Sequence, residues 1–281
     1  MIKKNDILTG TVQSFGSDGE GVLRMEDYVF FVPYTLPGEK ISFRVLKIQG
    51  KIGYGKVEEI FVSSPDRVSP VCPVFHTCGG CGLQHMSYAL QTKFKREKVK
   101  NALLKIGGVE AEVSPVVPCA SPYGYRNKLQ LPVGVDGNGN TVLGFYAERS
   151  HRIVPIDRCY IHPEWSAKLI AVFKEYLACS EAKGYDERAK KGLIRHLVAR
   201  EIDGKYLVTI VATEKNLPEK ELLIEKLQAA FPGCSAFVNV NKSDSNVIFG
   251  DRFYSLCGAE HIEGETDGIA YEAGAETFVQ V

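Results

Sequence analysis

Short runs of alternating apolar and polar residues fill the first 60 positions of the chain, and Gly and Pro separate one run from the next. This spacing is typical of β-strands joined by tight turns. The five predicted strands are Gly10–Phe15, Gly21–Arg24, Tyr28–Val32, Lys40–Leu46 and Tyr54–Phe61. They predict a small closed β-barrel of the OB type, and Ser63 to Pro70 predict a linker after it.

Beyond residue 86 the pattern mixes helix-length and strand-length segments. Ser87 is a candidate N-cap for a helix that ends at Gly107. Further helices are predicted from Pro163 to Cys179 and over residues 218–230. Strands are predicted at 128–135, 141–146, 193–200, 206–212, 236–240, 246–249 and 268–281, with hairpin turns at 136–140 and 203–204. The fold class expected from these elements is α+β.

Composition narrows the class of protein. Lys plus Arg equals Asp plus Glu at 34 each, so no net charge points to a nucleic-acid partner, although residues 85–130 are locally basic. There is no apolar run of membrane-spanning length, and eight cysteines without a signal peptide indicate a reducing compartment. We therefore expect a cytoplasmic protein with no membrane partner, and a monomer.

Three cysteines, Cys72, Cys78 and Cys81, lie within ten residues in a segment of prolines and glycines. Closely spaced thiols are prone to oxidation unless they are ligated, so this spacing predicts a metal site. Cys159, at the end of a strand-like run, is the candidate fourth ligand. Four thiolates suit an iron–sulfur cluster or a structural zinc, and a compact triplet with one remote cysteine favours the cluster.

Two segments combine aromatic and basic residues in a way that single-stranded RNA recognition uses. One is Ser121–Lys128, and the other runs from Gly144 to Arg152. For Ser121–Lys128 the alternative is a polar strand entrance with its tyrosines packed on the core, and residue chemistry alone does not decide between the two. For Gly144–Arg152 the alternative, and the commoner case, is an exposed arginine that is only solvated. In a regular strand, Arg195 and His196 would lie on opposite faces, and such a lone histidine is more often structural than catalytic.

These motifs together resemble the RNA uracil-5-methyltransferases that carry an N-terminal TRAM domain and a 4Fe–4S cluster, especially the 23S rRNA enzymes of bacteria. The resemblance extends over all 281 residues. It rests on the barrel-like start, the cysteine motif with Cys159, and three further segments. Those segments are Tyr125–Lys128, Gly144–Tyr146 with Arg149–His151, and Leu193–Leu197.

The resemblance implies an enzyme that uses S-adenosylmethionine to methylate carbon 5 of a flipped-out uridine in 23S rRNA, by thiolate attack at carbon 6. It implies that Cys72, Cys78, Cys81 and Cys159 ligate the cluster. It also implies that Gln280 contacts the cofactor. The residues that it implies at the RNA are Arg126, Lys128, Arg149 and Phe278.

The resemblance also implies three regions: a TRAM domain over 1–60, a central iron–sulfur and RNA-binding domain over 61–267, and the start of a methyltransferase domain over 268–281. On this interpretation the C-terminal Rossmann-like methyltransferase domain, with its nucleophilic cysteine, is absent. The helix at about 87–106 is expected to pack with that missing catalytic domain. The chain is expected to be inactive alone. The alternative is a stand-alone RNA-binding iron–sulfur protein.

Overall fold

A computed structural model describes residues 2–277, which divide into two compact units. The first unit contains residues 2–75 and 81–120. The second contains residues 76–80 and 121–277. The described residues form fifteen strands and three helices.

The first unit is built on a six-stranded sheet with the order β1-β5-β6-β4-β3-β2. Its strands are β1 (Ile7–Thr11), β2 (Ser14–Phe15), β3 (Gly21–Met25), β4 (Tyr28–Val32), β5 (Lys40–Gln49) and β6 (Ile52–Val62). Alternate residues of these strands point inward, as the pleat requires. Phe30, Ile41, Phe43 and Val45 are fully buried there, and the Phe30 and Phe43 rings lie 5.2 Å apart.

The expected five-stranded barrel was wrong in its strand count, because the predicted strand Gly10–Phe15 is two strands. The backbone changes partner between them. The Val12 N–H donates to the Glu39 carbonyl, on the side of β5, whereas the Gln13 N–H donates to the Val22 carbonyl of β3. Alternation continues through such a switch, so the hydrophobic pattern does not reveal it.

A single helix, α1 (Tyr88–Lys105), follows the cysteine segment in the first unit. The predicted cap is confirmed, since the Ser87 Oγ accepts a hydrogen bond from the Leu90 N–H at 3.1 Å. Phe94 is the buried residue of α1, and its ring meets that of Phe15 edge-on at 5.1 Å. Its lysines face solvent.

The second unit is built on a seven-stranded mixed sheet with the order β13-β12-β11-β10-β7-β8-β9. Its strands are β7 (Lys128–Val135), β8 (Thr141–Tyr146), β9 (Ile153–Pro155), β10 (Ile194–Ile202), β11 (Lys205–Ala212), β12 (Ser235–Val240) and β13 (Arg252–Cys257). Only the β11–β12 pair is parallel. Both predicted hairpins are present, and the Asp136 carboxylate accepts from the Asn138 and Asn140 N–H groups in the first turn.

Two helices, α2 (Glu164–Cys179) and α3 (Lys220–Ala230), pack on one face of this sheet. The α2 residue Trp165 meets Tyr206 of β11 edge-on, and Tyr206 also contacts Phe231 just beyond α3. Leu129 and Leu197 lie on the same apolar face. The opposite face of β7 and β10 therefore carries the polar residues of these strands.

A two-stranded hairpin, β14 (His261–Thr266) and β15 (Ile269–Gly274), covers part of the polar face. Ile262 and Ala273 of the hairpin pack against Ile202, Leu207 and Phe237 of the sheet. The strand expected at 246–249 is not formed, because the Asn241 side chain donates to the carbonyls of residues 247 and 248 and holds the chain in a loop. The expected fold class, a five-stranded barrel followed by a mixed α/β central domain, is thus corrected to two sheets of six and seven strands and a separate hairpin.

No helix among residues 2–277 has the length and apolar character needed to cross a membrane.

Candidate functional site

A cavity of about 500 Å³ opens on the polar face of the seven-stranded sheet. Its walls come from β7 and the residues just before it, the end of β8, the start of β10, and the loop after β12. The lining residues are Arg126, Lys128, Gln130, Pro132, Phe145, Tyr146, His151, His162, Glu187, Arg195, His196 and Ser245–Ile248. Three permanent cations thus meet a single carboxylate in this lining. A space of this size is typical of sites for small organic groups.

Strand pairing explains why these residues meet. Lys128 lies opposite Arg200 in the antiparallel pairing of β7 with β10, and Pro132 lies opposite His196. Directly opposed residues share a sheet face, and every second residue returns to it. The two strands therefore place Lys128, Gln130 and His196 on one sheet face, together with the apolar residues Pro132 and Val198.

A β-bulge at the start of β10 brings two neighbouring residues, Arg195 and His196, into the same lining. Strict alternation would put them on opposite faces, as expected from the sequence. The register with β11 shifts between Ile194 and His196, however, and an extra residue of this kind redirects side chains. The expectation that Arg195 and His196 lie on opposite faces was therefore wrong.

His196 is a neutral imidazole in this setting. Burial, and then the charge of Arg195, lower the pKa of His196 to about 4, although Glu187 opposes the shift. Its Nδ1 is buried and has no hydrogen-bond partner among the described residues. A neutral ring can both donate and accept a hydrogen bond, which suits recognition of a polar planar group.

His162 forms a second neutral ring in the wall. Its Nε2 lies 2.8 Å from the Lys128 carbonyl oxygen, and burial lowers its pKa. The ring stacks on Phe145 with an angle of 23° between the planes. This pair forms a flat surface beside the cations.

Glu187 connects two further lining residues. Its carboxylate accepts a hydrogen bond from the Tyr146 hydroxyl at 3.0 Å and contacts His151 Nδ1 at 2.8 Å. Burial, and then the Glu187 charge, raise the pKa of Tyr146, so its hydroxyl stays protonated as a donor. These three residues also line an adjoining cavity of about 600 Å³.

Arg195 is held without a carboxylate partner in the described part of the chain. Its Nη1 donates to the carbonyl oxygens of Asn241 and Ser243 at 3.1 and 2.6 Å. Its guanidinium lies 4.7 Å from the centre of the Tyr185 ring. Backbone carbonyls and a ring face orient the cation but leave its positive charge available.

Of the residues expected to contact RNA, two line the cavity and one described residue does not. Arg126 and Lys128 line the cavity, and their segment is fixed by a hydrogen bond from the Arg126 N–H to the Ile161 carbonyl. Arg149 lies outside the lining, in a turn with a φ of 51°, where it pairs with Glu148. Phe278 and Gln280, expected at the base and the cofactor, lie outside the described residues.

The four cysteines expected to bind a cluster are half-buried. The Gly80 N–H points to the Cys78 Sγ at 3.4 Å, as in sites that stabilise a thiolate, and burial raises the pKa of the Cys72 thiol. Nevertheless, residues 2–277 contain no group of three or more His, Cys, Asp or Glu side chains arranged to hold a metal ion. The ligand type fits a cluster, whereas the described arrangement of side chains gives it no support.

The cysteine segment is nonetheless tied to the cavity wall. The Gly79 N–H donates to the Tyr146 carbonyl at 3.0 Å, and Cys78 forms a β-bridge with Ala147. Residues 76–80 therefore add a short edge to the end of β8, next to a residue that lines the cavity.

Comparison with known proteins places these motifs in context. The chain is similar to RNA methyltransferases. Proteins named "uncharacterized RNA methyltransferase" from Halalkalibacterium halodurans and Listeria monocytogenes are 40% and 38% identical to it, over 100% of the chain and 62% of their own length. The chain thus spans about three fifths of the relatives that it matches. No family model matches it.

The chain is also similar to a solved structure of an RNA methyltransferase. The tRNA (uracil-54, C5)-methyltransferase of Pyrococcus abyssi, in complex with S-adenosyl-L-homocysteine, matches 96% of this chain and 60% of its own, with a TM-score of 0.72 and 30% identity. The curated relatives match the whole chain, and this solved structure matches 96% of it. The fold-class statement that rested on an absent Rossmann-like domain was therefore wrong, because the two mixed sheets described here match a solved methyltransferase structure.

Sequence reasoning did not identify Glu187, His162 or the loop at 245–248 as parts of the site. Glu187 directly follows Asp186 and precedes a short basic stretch, with no motif of its own, and His162 precedes a helix, where a structural role is the ordinary one. One signal was available. Tyr146 and His151 lie in a segment of aromatic and basic residues, and side chains of these types can donate hydrogen bonds to a carboxylate such as that of Glu187.

Proposed function

We propose that this chain binds RNA through the cavity on the seven-stranded sheet and serves the methylation of carbon 5 of a uridine. The observation that carries the proposal is the convergence of three separate sequence segments on one cavity. Tyr125–Lys128, Gly144–Tyr146 and Leu193–Leu197 each contribute lining residues. The similarity to RNA methyltransferases, one of them named for uracil C5, gives the reaction class.

The lining offers the three kinds of contact that unpaired RNA requires. Arg126, Lys128 and Arg195 provide cations for phosphates, which supply most of the affinity. The stacked Phe145–His162 pair offers a flat surface for a base, and neutral His196 offers a hydrogen-bonding edge. A base held here would be out of its helical stack, as base-modifying enzymes need.

We propose S-adenosylmethionine as the methyl donor. The support is the solved relative, whose complex contains S-adenosyl-L-homocysteine, the compound left when the donor has given up its methyl group. This chain's part is then to bind and orient RNA, while Gln280 is proposed to contact the cofactor and Phe278 the target base.

Binding of a fluorescein-labelled single-stranded RNA, followed by anisotropy, tests the RNA proposal. We expect Phe145→Ala to weaken binding by roughly 1–3 kcal/mol, the usual value of one stacked base. Ile269→Ala, which trims an exposed residue of the second unit outside this lining, is the control and should bind like the wild type. Equal affinities for all three proteins, or no binding at all by the wild type, would remove the basis for the proposal.

Two finer assignments concern the substrate and the activity of these 281 residues. We propose 23S rRNA as the substrate, although the solved relative is named for a tRNA uridine. Competition of unlabelled 23S rRNA and tRNA transcripts against the labelled RNA compares the two substrates by binding. Incubation with methyl-labelled donor, followed by nucleoside analysis, checks the expectation that these 281 residues form no 5-methyluridine. RNA binding without methylation by any longer form would favour the alternative of a stand-alone RNA-binding protein.

We also propose that Cys72, Cys78, Cys81 and Cys159 bind a 4Fe–4S cluster, with residues 1–60 as a TRAM domain and 61–267 as the central domain. The spacing and type of the four thiols support the cluster. Iron and acid-labile sulfide analysis of protein purified without oxygen is the test, and stoichiometric zinc without iron would contradict it. Sedimentation equilibrium checks the proposed monomer.

A further inference from the structure

Arg200 is a buried cation whose charge is not neutralised within the described structure. It is 2% exposed and lies in the middle of the second unit, on β10. Among the described residues its one hydrogen bond runs from Nη1 to the Gly274 carbonyl at 3.3 Å, and its buried Nε has no partner there. Residues 2–277 provide no ion pair for it.

A second cation lies directly across the strand pair. Lys128 of β7 is the register partner of Arg200, so the two side chains leave the same sheet face. Like charges opposite each other in a sheet repel. Burial, and then the Arg200 charge, lower the pKa of Lys128, which agrees with two cations held close together in a poorly solvated place.

Such an arrangement is costly to the folded protein unless an anion compensates it, because a buried charge without a partner loses its hydration. Lys128 also lines the cavity, beside Arg126, so an anion that enters the cavity can reach it. The Arg200 guanidinium, on the strand next to Lys128, increases the positive potential at that end of the cavity.

We propose that Lys128 and Arg200 form a phosphate-binding subsite in which Lys128 contacts an RNA phosphate and Arg200, on the neighbouring strand, supplies the second charge. The inference rests on the RNA binding proposed above and assigns one phosphate contact to one end of the cavity. Arg200 is a positioning residue here, since it acts through Lys128 and its electrostatic field. Phosphate contacts of this type fix the register of the RNA without reading its sequence.

The first test is the salt dependence of binding. Affinity for a labelled oligouridylate is measured over a series of KCl concentrations for wild type, Lys128→Gln and, as a control, Lys220→Gln on α3. One lost phosphate contact reduces the slope of log affinity against log salt by about 0.7 for a single strand. We expect this reduction in Lys128→Gln alone. An unchanged slope in Lys128→Gln, with RNA binding by the wild type intact, would overturn the subsite and leave the proposed function standing.

The second test uses opposite effects on stability and binding. Arg200→Met keeps an unbranched apolar chain in place of the aliphatic part of the arginine and removes the charged guanidinium. Because the charge is unpaired in the free protein, we expect Arg200→Met without RNA to melt at the wild-type temperature or above it, and yet to bind the oligouridylate more weakly. A residue with a purely structural role predicts a lower melting temperature, and that result would refute the argument from the uncompensated charge.

A third arm identifies the anion. Binding of S-adenosyl-L-homocysteine, which carries a carboxylate, is measured with the same variants. We expect Lys128→Gln to leave it unchanged. If Lys128→Gln weakens this ligand and leaves RNA binding as in the wild type, the subsite binds a carboxylate and the phosphate assignment is wrong.

Discussion

The neutral state of His196 has a measurable effect on stability. Its pKa in the folded protein is about 4, against 6.5 for the ordinary side chain. Each pH unit between the two values is worth about 1.4 kcal/mol, so the shift corresponds to about 3 kcal/mol. Because the folded pKa is lowered, this stability is fully present above pH 6.5. It is lost progressively as the pH falls from 6.5 to 4, where the unfolded chain takes up the proton first.

Replacement of His196 by Gln isolates this effect. Urea unfolding at a series of pH values between 7 and 4, followed by the fluorescence of Trp165, reports on the second unit, since Trp165 packs against Tyr206 there. We expect the difference in unfolding free energy between wild type and His196→Gln to change by about 3 kcal/mol across this range. Asn246→Ala, at a lining residue that does not titrate, should follow the pH dependence of the wild type. Parallel curves for wild type and His196→Gln would show that His196 is not held neutral by its surroundings.

Two further substitutions test the packing of each unit. A Cβ at Gly144 would lie 1.9 Å from the Val154 carbonyl oxygen of the neighbouring strand, so Gly144→Ala should lower the unfolding free energy in urea by about 3 kcal/mol. The control Gly137→Ala, where a Cβ would lie in open space, should change it by no more than about 0.5 kcal/mol. Equal losses in the two variants would contradict the close approach of β8 and β9. The buried Glu39 carboxylate accepts from the Arg67 guanidinium and from the Leu36 and Ser64 N–H groups, which together outweigh its burial and lower its pKa. Glu39→Gln leaves Arg67 without its counter-ion and should lower the unfolding free energy of the first unit by about 3 kcal/mol, and a neutral effect in thermal melting would refute this role.

Local chemistry made several elements predictable from the sequence. The Ser87 cap, the Asp136–Asn140 turn and the hairpin at Asp203–Gly204 depend on residues within four positions of each other, and the structure confirms all three. A similar local argument gave α2 nearly to the residue, since a proline at its start and an apolar face specify a helix.

What the sequence did not reveal depends on long-range pairing. The division of residues 10–15 between two strands follows from partners at Glu39 and Val22. The loop at 246–249 follows from the amide of Asn241, which no periodicity predicts. The cavity itself was only half predictable. The segments with aromatic and basic residues were identified, but their meeting with Glu187 and His162 depends on the order of strands in the sheet.

The bulge at the start of β10 means that the chemistry of the cavity is set by a count of backbone residues as much as by side-chain type. Deleting one residue there would restore regular alternation and send either the guanidinium or the imidazole into the apolar layer beneath the helices. Such a deletion would disrupt the cavity although the remaining residues of the lining keep their types. Insertions and deletions around residues 194–196 should therefore be tolerated far less well than exchanges of the residues themselves.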